Sequence, residues 1–128
     1  MSEHRPADVE RAASSARAGS ASARPPVVCL CGSVQFAAEI RAVERGLTLA
    51  GTIVLAPALL EPAVVPLTDQ QRAALGRLHL ARIDLADRVV VVDPGGYLGE
   101  STRREVRYAL RARKPVDYTE PPGDAVDR

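Results

Sequence analysis

The sequence predicts an α/β fold, a small open parallel sheet. Apolar runs of strand length recur along the chain, segments with helical spacing separate them, and glycine or proline marks the junctions. Such alternation gives parallel strands joined by right-handed crossovers.

Val27-Val28-Cys29-Leu30-Cys31 is continuously apolar, as a strand covered on both faces must be. Gly32-Ser33 ends it. Phe36, Ile40, Val43 and Leu47 then recur at helical spacing, with charged residues between them and Gly51 as the stop. Thr52 to Ala56 reads as the second strand, closed by Pro57. Residues 58–68 read as an irregular, proline-punctuated loop. Thr68 or Asp69 can cap a helix running to about Leu85. Arg88 to Asp93 is the clearest strand, and Pro94 to Glu100 is turn-forming. A helix from about Ser101 to Arg113 stops at Pro115, and Val116 to Thr119 reads as a short last strand. The sum is about four strands and three helices, Rossmann-like in class.

This domain spans residues 25–120 of a 128-residue chain. Residues 1–24 are rich in Ala, Ser and Arg and too poor in large apolar groups to offset their ordering entropy, so a flexible N-terminal arm is expected. Glu3, Asp8 and Glu10 argue against a transit peptide. Residues 121–128 read as a flexible tail.

Seventeen basic residues nearly cancel sixteen acidic ones, leaving a formal charge of +1. No net field draws the chain to polymeric nucleic acid or to an anionic membrane. Phe36, Tyr97, Tyr108 and Tyr118 are the only aromatics, too few for base-stacking platforms. No apolar stretch approaches the roughly 20 residues that span a bilayer. Cys29 and Cys31 are the only cysteines and point to one side of a strand. A bridge between residues two apart is sterically poor, and a metal would need further ligands, with only His4 and His79 in the chain. The expectation is two buried, reduced thiols in a cytoplasmic protein, with no metal or redox cofactor.

Ligands of open α/β sheets bind beyond the carboxyl ends of the strands. Two glycine-marked loops fall there. Gly32-Ser33 allows close backbone approach but forms neither a G-x-G-x-x-G fingerprint nor a P-loop. Gly95-Gly96-Tyr97-Leu98-Gly99-Glu100-Ser101-Thr102 leads into a helix N-terminus, which favours an anion. Arg103 and Arg104 have the wrong sign for that helix end, and a bound phosphate would reverse this. Glu105 has two readings. Thr102-Arg103-Arg104-Glu105 matches a capping box, which would fold the carboxylate onto its own backbone; alternatively the helix holds the carboxylate at the ligand. His79 and Asp84 on the preceding helix are further candidates, while Asp87 is expected to cap or pair locally. Arg103, Arg107 and Arg111 form a helical stripe, solvated or facing a subunit.

Over residues 27–120 the chain resembles the nucleoside 2-deoxyribosyltransferase-like superfamily, which includes nucleoside 5′-monophosphate N-glycosidases. The resemblance rests on Val28 to Val34, Ile83 to Val91, Gly96 to Thr102, and Glu105 to Ala109 with Lys114-Pro115-Val116. It implies N-glycosidic bond cleavage, with Glu105 as nucleophile at the anomeric carbon and water or a second base resolving the intermediate. His79 and Asp84 would assist. Gly32, Ser33, Gly96, Tyr97, Gly99, Ser101 and Thr102 would bind the nucleoside or its 5′-phosphate. The family also implies a homodimer or higher homo-oligomer, with Tyr108 and Tyr118 as contributors to a shared site. The chain departs from the family where His79 and Gly99 stand in place of Asp, and where Gln35 stands in place of Arg. Two rival readings remain open: a non-catalytic nucleotide-binding module of the same fold, and an interaction protein that docks through the arginine stripe.

Overall fold

A computed structural model describes residues 24–58 and 66–120. The arm before residue 24, the tail after residue 120 and the middle of the 58–68 loop lie outside the described residues. Strands β1 (Val27–Cys31), β2 (Ile53–Leu55), β3 (Arg88–Val91) and β4 (Val116–Tyr118) form one sheet. Helices α1 (Ala37–Leu49), α2 (Asp69–Leu85) and α3 (Glu100–Arg111) connect them in turn. The sheet order is β2-β1-β3-β4, and every neighbouring pair is parallel. The predicted class holds, with the last helix and the last strand ending slightly earlier than expected.

Chain order explains the layers. From β1 the chain moves outward to β2 through α1, then crosses back over β1 to β3 through α2. With right-handed crossovers this reversal puts α1 on one face and α2 and α3 on the other. The two cores follow the alternation of side chains along the strands. Val28, Leu30, Val90 and Val92 pack against Ile40, Val43 and Leu47 of α1. Cys29, Cys31, Val89 and Val91 pack against Ile83 of α2 and Val106 and Ala109 of α3. All four residues of β1 from Val28 to Cys31 are 0% exposed, which is why the run carries no alternation.

Local chemistry fixes the ends. Thr68 caps α2 with a complete capping box: its Oγ1 accepts from Gln71 N at 3.0 Å, and Gln71 Oε1 accepts from Thr68 N at 2.9 Å. Gly51 takes φ 93° after α1, a left-handed value that suits a residue without Cβ. Asp87, expected to act locally, instead joins β1 to β3 at the amino end of the sheet. Its carboxylate accepts from Val27 N at 2.8 Å and from both Arg24 guanidinium nitrogens at 2.9 and 2.7 Å. That pairing holds the Asp87 pKa down at about 2.

At the opposite end, Asp93 is fully buried and accepts from the Thr119 hydroxyl and Glu120 N, which ties the exits of β3 and β4 together. Gly32 is tightly enclosed. A Cβ there would lie 2.9 Å from the Val92 carbonyl oxygen and 3.4 Å from Ile40 Cδ1. The position therefore serves the packing of β1 against β3, whatever else approaches it.

Candidate functional site

The chain reverses direction across the sheet between β1 and β3, so the carboxyl end of β1 borders the switch point. Cys29 and Cys31 point from β1 toward the α2 and α3 layer. His79 faces them from the middle of α2, four residues before Ile83 on the same inward stripe. His79 Nε2 lies 3.7 Å from Cys29 Sγ and 3.6 Å from Cys31 Sγ. Glu105 comes from the second turn of α3, near enough for its charge to act on Cys31 and His79. Four groups able to carry charge or protons thus meet between one strand and two helices.

The capping-box reading of Glu105 is overturned. Helix α3 begins at Glu100, with Gly99 at the N-cap and no side chain capping it. Thr102 is inside the helix and buried, so no Thr102–Glu105 box forms. Instead, Glu105 is aimed at the cluster.

Electrostatics couple the four groups. Cys29 is held down at about 6, first by its hydrogen bond with Cys31, against burial, with help from His79 and Arg82. Cys31 is pushed well up by the same hydrogen bond, by burial and by the Glu105 charge. Burial works to lower His79, but the hydrogen bond and negative charge of Cys29 outweigh it and raise the imidazole. Burial raises Glu105, and the nearby Cys29 charge adds to it against His79 and Arg104. The cysteines are 0% exposed and His79 is 4% exposed, so no sulfur can attack an external substrate. Glu105 is half-buried and is the member that reaches the surface.

The imidazole is poorly satisfied. Its Nδ1 has no hydrogen-bond partner among the described residues, and Nε2 meets only sulfur, a weak partner. An unpaired buried polar atom costs about 1–3 kcal/mol. Arg82 Nη1, one turn on, is likewise buried without a partner.

The other sequence candidates divide. Ser33 caps the short 3-10 turn Val34–Phe36, its hydroxyl accepting from Gln35 N at 3.4 Å. Tyr97 is half-exposed and packs edge-on against Phe36, with ring centroids 5.8 Å apart, bridging the two glycine-marked loops. Gly95 and Gly96 both have positive φ and turn the chain beyond β3. Gly99 sits under the Tyr97 ring, and Ser101 is exposed in the first turn of α3. Arg103 Nε donates to the Leu98 carbonyl at 3.3 Å and pins this loop. Asp84 does not join the cluster. It is exposed near the far end of α2 and accepts from the Tyr108 hydroxyl at 2.8 Å, while Lys114 Nζ donates to the Asp84 and Ala86 carbonyls. Tyr108 is thereby engaged within the chain.

Sequence reasoning placed His79 and Glu105 in one site but kept the two thiols apart from it. The available signal was that Cys29 and Cys31 share a strand face while His79 shares a helix stripe with Ile83. No family model, curated protein or solved structure matches the chain. No helix among the described residues is long and apolar enough to cross a membrane.

Proposed function

We propose that the chain cleaves the N-glycosidic bond of a nucleoside or nucleoside 5′-monophosphate, with Glu105 as nucleophile. The observation that carries this reading is the Glu105 carboxylate. It is held on a regular helix beside the carboxyl end of β1, free of any capping duty and partly open to solvent. An oxocarbenium-like transition state is cationic, and a fixed carboxylate of low dielectric surroundings stabilises it. The resemblance to the nucleoside 2-deoxyribosyltransferase-like superfamily supports the same assignment. His79, close to Glu105, is the group that would balance its charge as the glycosyl bond forms and breaks. Asp84 has no part in this reading, being engaged with Tyr108 away from the cluster.

Ser33, Tyr97, Gly99 and Ser101 would bind the substrate from the two glycine-marked loops and the start of α3, and the amino end of α3 offers free N–H groups to a 5′-phosphate. Hydrolysis is favoured over base exchange, because that helix start suits a phosphate-bearing substrate. The reaction needs no redox partner and fits a cytoplasmic enzyme acting as a homo-oligomer.

The test is incubation with a panel of nucleosides and 5′-monophosphates, with free base read by chromatography. Wild type releases base; Glu105→Gln, which keeps the shape of the side chain, falls by about 10²-fold or more. Base release undiminished in Glu105→Gln refutes the mechanism. Nucleotide binding without release, equal in both proteins, favours the non-catalytic module.

A further inference from the structure

We infer that Cys29, Cys31 and His79 form a buried zinc site with three protein donors. The inference goes beyond the glycosidase reading and does not rest on it.

Distances come first. Zinc binds thiolate sulfur at about 2.3 Å and imidazole nitrogen at about 2.0–2.1 Å in tetrahedral geometry. Those lengths place sulfur and nitrogen about 3.6 Å apart across the metal. The two observed separations from His79 Nε2 are 3.7 and 3.6 Å, and all three donor atoms lie within 4.8 Å of one another. The donors are already arranged as a metal would hold them, on one strand and one helix and not on a loop.

Chemistry comes second. Two sulfurs and one imidazole are a donor set that selects zinc over magnesium or calcium. Binding Zn²⁺ leaves both sulfurs as thiolates and the imidazole neutral, the displaced protons pass to solvent, and the two thiolates balance the metal charge with no change of oxidation state. The result is a neutral buried centre, the form that costs least in a site where both sulfurs are 0% exposed.

Need comes third. His79 is 4% exposed, yet among the described residues Nδ1 has no partner and Nε2 meets only sulfur. A metal bond at Nε2 supplies what the protein does not. The missing partner at Nδ1 leaves the ring without the outer hydrogen bond that usually orients a ligating histidine.

The Glu105 carboxylate lies outside the 4.8 Å cluster of donor atoms. It stands beside Cys31, the position of a carboxylate that neighbours a metal without ligating it.

The experiment uses the full chain, purified reduced from zinc-supplemented growth. Elemental analysis should find close to one zinc per chain. Exchange with Co²⁺ should give the near-ultraviolet thiolate charge-transfer band and the visible bands of a tetrahedral ion. A chelator should lower the thermal midpoint of wild type, and zinc should restore it. Cys29→Ser with Cys31→Ser should lose the metal and the band, and so should His79→Asn; Glu105→Gln should keep both. A wild-type chain that carries no zinc, and whose midpoint neither zinc nor chelator moves, overturns the inference without any variant. So does a folded His79→Asn protein that binds zinc as wild type does, or a Glu105→Gln protein that has lost it. A zinc-bound wild type that releases no base upholds the metal site and removes only the glycosidase reading.

Discussion

Replacing Gly32 with alanine tests the claim that this glycine exists for packing. The added Cβ meets the Val92 carbonyl oxygen at 2.9 Å and Ile40 Cδ1 at 3.4 Å. The carbonyl belongs to backbone at the exit of β3, where Val92 N donates to the Cys31 carbonyl at 2.8 Å, so it cannot swing aside as a side-chain tip could. Overpacking of a well-filled core costs about 1–3 kcal/mol. Alanine also restricts the unfolded chain, which returns about 0.4–1 kcal/mol. Gly32 is not among the glycines with positive φ, so no backbone strain adds to the cost. The net destabilisation is about 1.5 kcal/mol, a fall in Tm of roughly 6–12 °C for a domain of this size. Urea unfolding followed by circular dichroism reads it directly. Gly76→Ala is the internal control: nothing lies within 4 Å of a Cβ on this exposed turn of α2, and alanine there should stabilise by about 0.5–1 kcal/mol. Gly32→Ala protein as stable as wild type, measured beside a control that behaves as stated, would refute the packing argument and return Gly32 to the ligand.

Thr68→Ala removes the bond from Gln71 N to the Thr68 hydroxyl, leaves the Thr68 N–H to Gln71 Oε1 bond in place, and should cost about 0.5–2 kcal/mol in the same assay. Asp87 titrates at about 2 in the folded chain, below its ordinary 3.8, so its contribution is complete above the ordinary value and fades as pH falls through about 2. Stability of wild type and Asp87→Asn measured across that acid range should therefore converge as acid is added; a gap that stays constant would show the carboxylate to be irrelevant. Glu105→Gln should lower base release by about 10²-fold or more while changing the unfolding free energy by no more than about 0.5 kcal/mol, because no capping bond is lost.

Much of this architecture was legible because each element carries its own signal. The unbroken apolar run at Val27–Cys31 could only be a strand covered on both faces, and Thr68 with Gln71 three residues on announced the start of α2. The same kind of local pattern misled at Thr102–Glu105. A capping box needs its threonine at the helix boundary, and α3 starts earlier, at Glu100, with Gly99 as its extended N-cap. Asp87 was opaque for a different reason. Its partner Arg24 is 63 residues away, and no periodicity links the two. The thiol–imidazole contact was hidden likewise, since 48 residues separate Cys31 from His79 and only the crossover of α2 brings them together. Asp84 looked equivalent to His79 in sequence, but five residues along α2 carry it out of the buried stripe into contact with Tyr108.

The central position of β1 has a consequence for how the protein is made. β1 leaves the ribosome first among the strands, yet its longer register, Val28 to Cys31 against Arg88 to Val91, waits for chain synthesised some sixty residues later. Until then only β2 can pair with it, and a two-stranded parallel ribbon is too small to persist unaided. During that interval one of the most apolar segments of the chain has an unprotected edge, and parallel pairing over such separations forms slowly. Slowing elongation between Leu55 and Arg88 should therefore raise the aggregated fraction of newly made chains, whereas slowing it after Tyr118 should not.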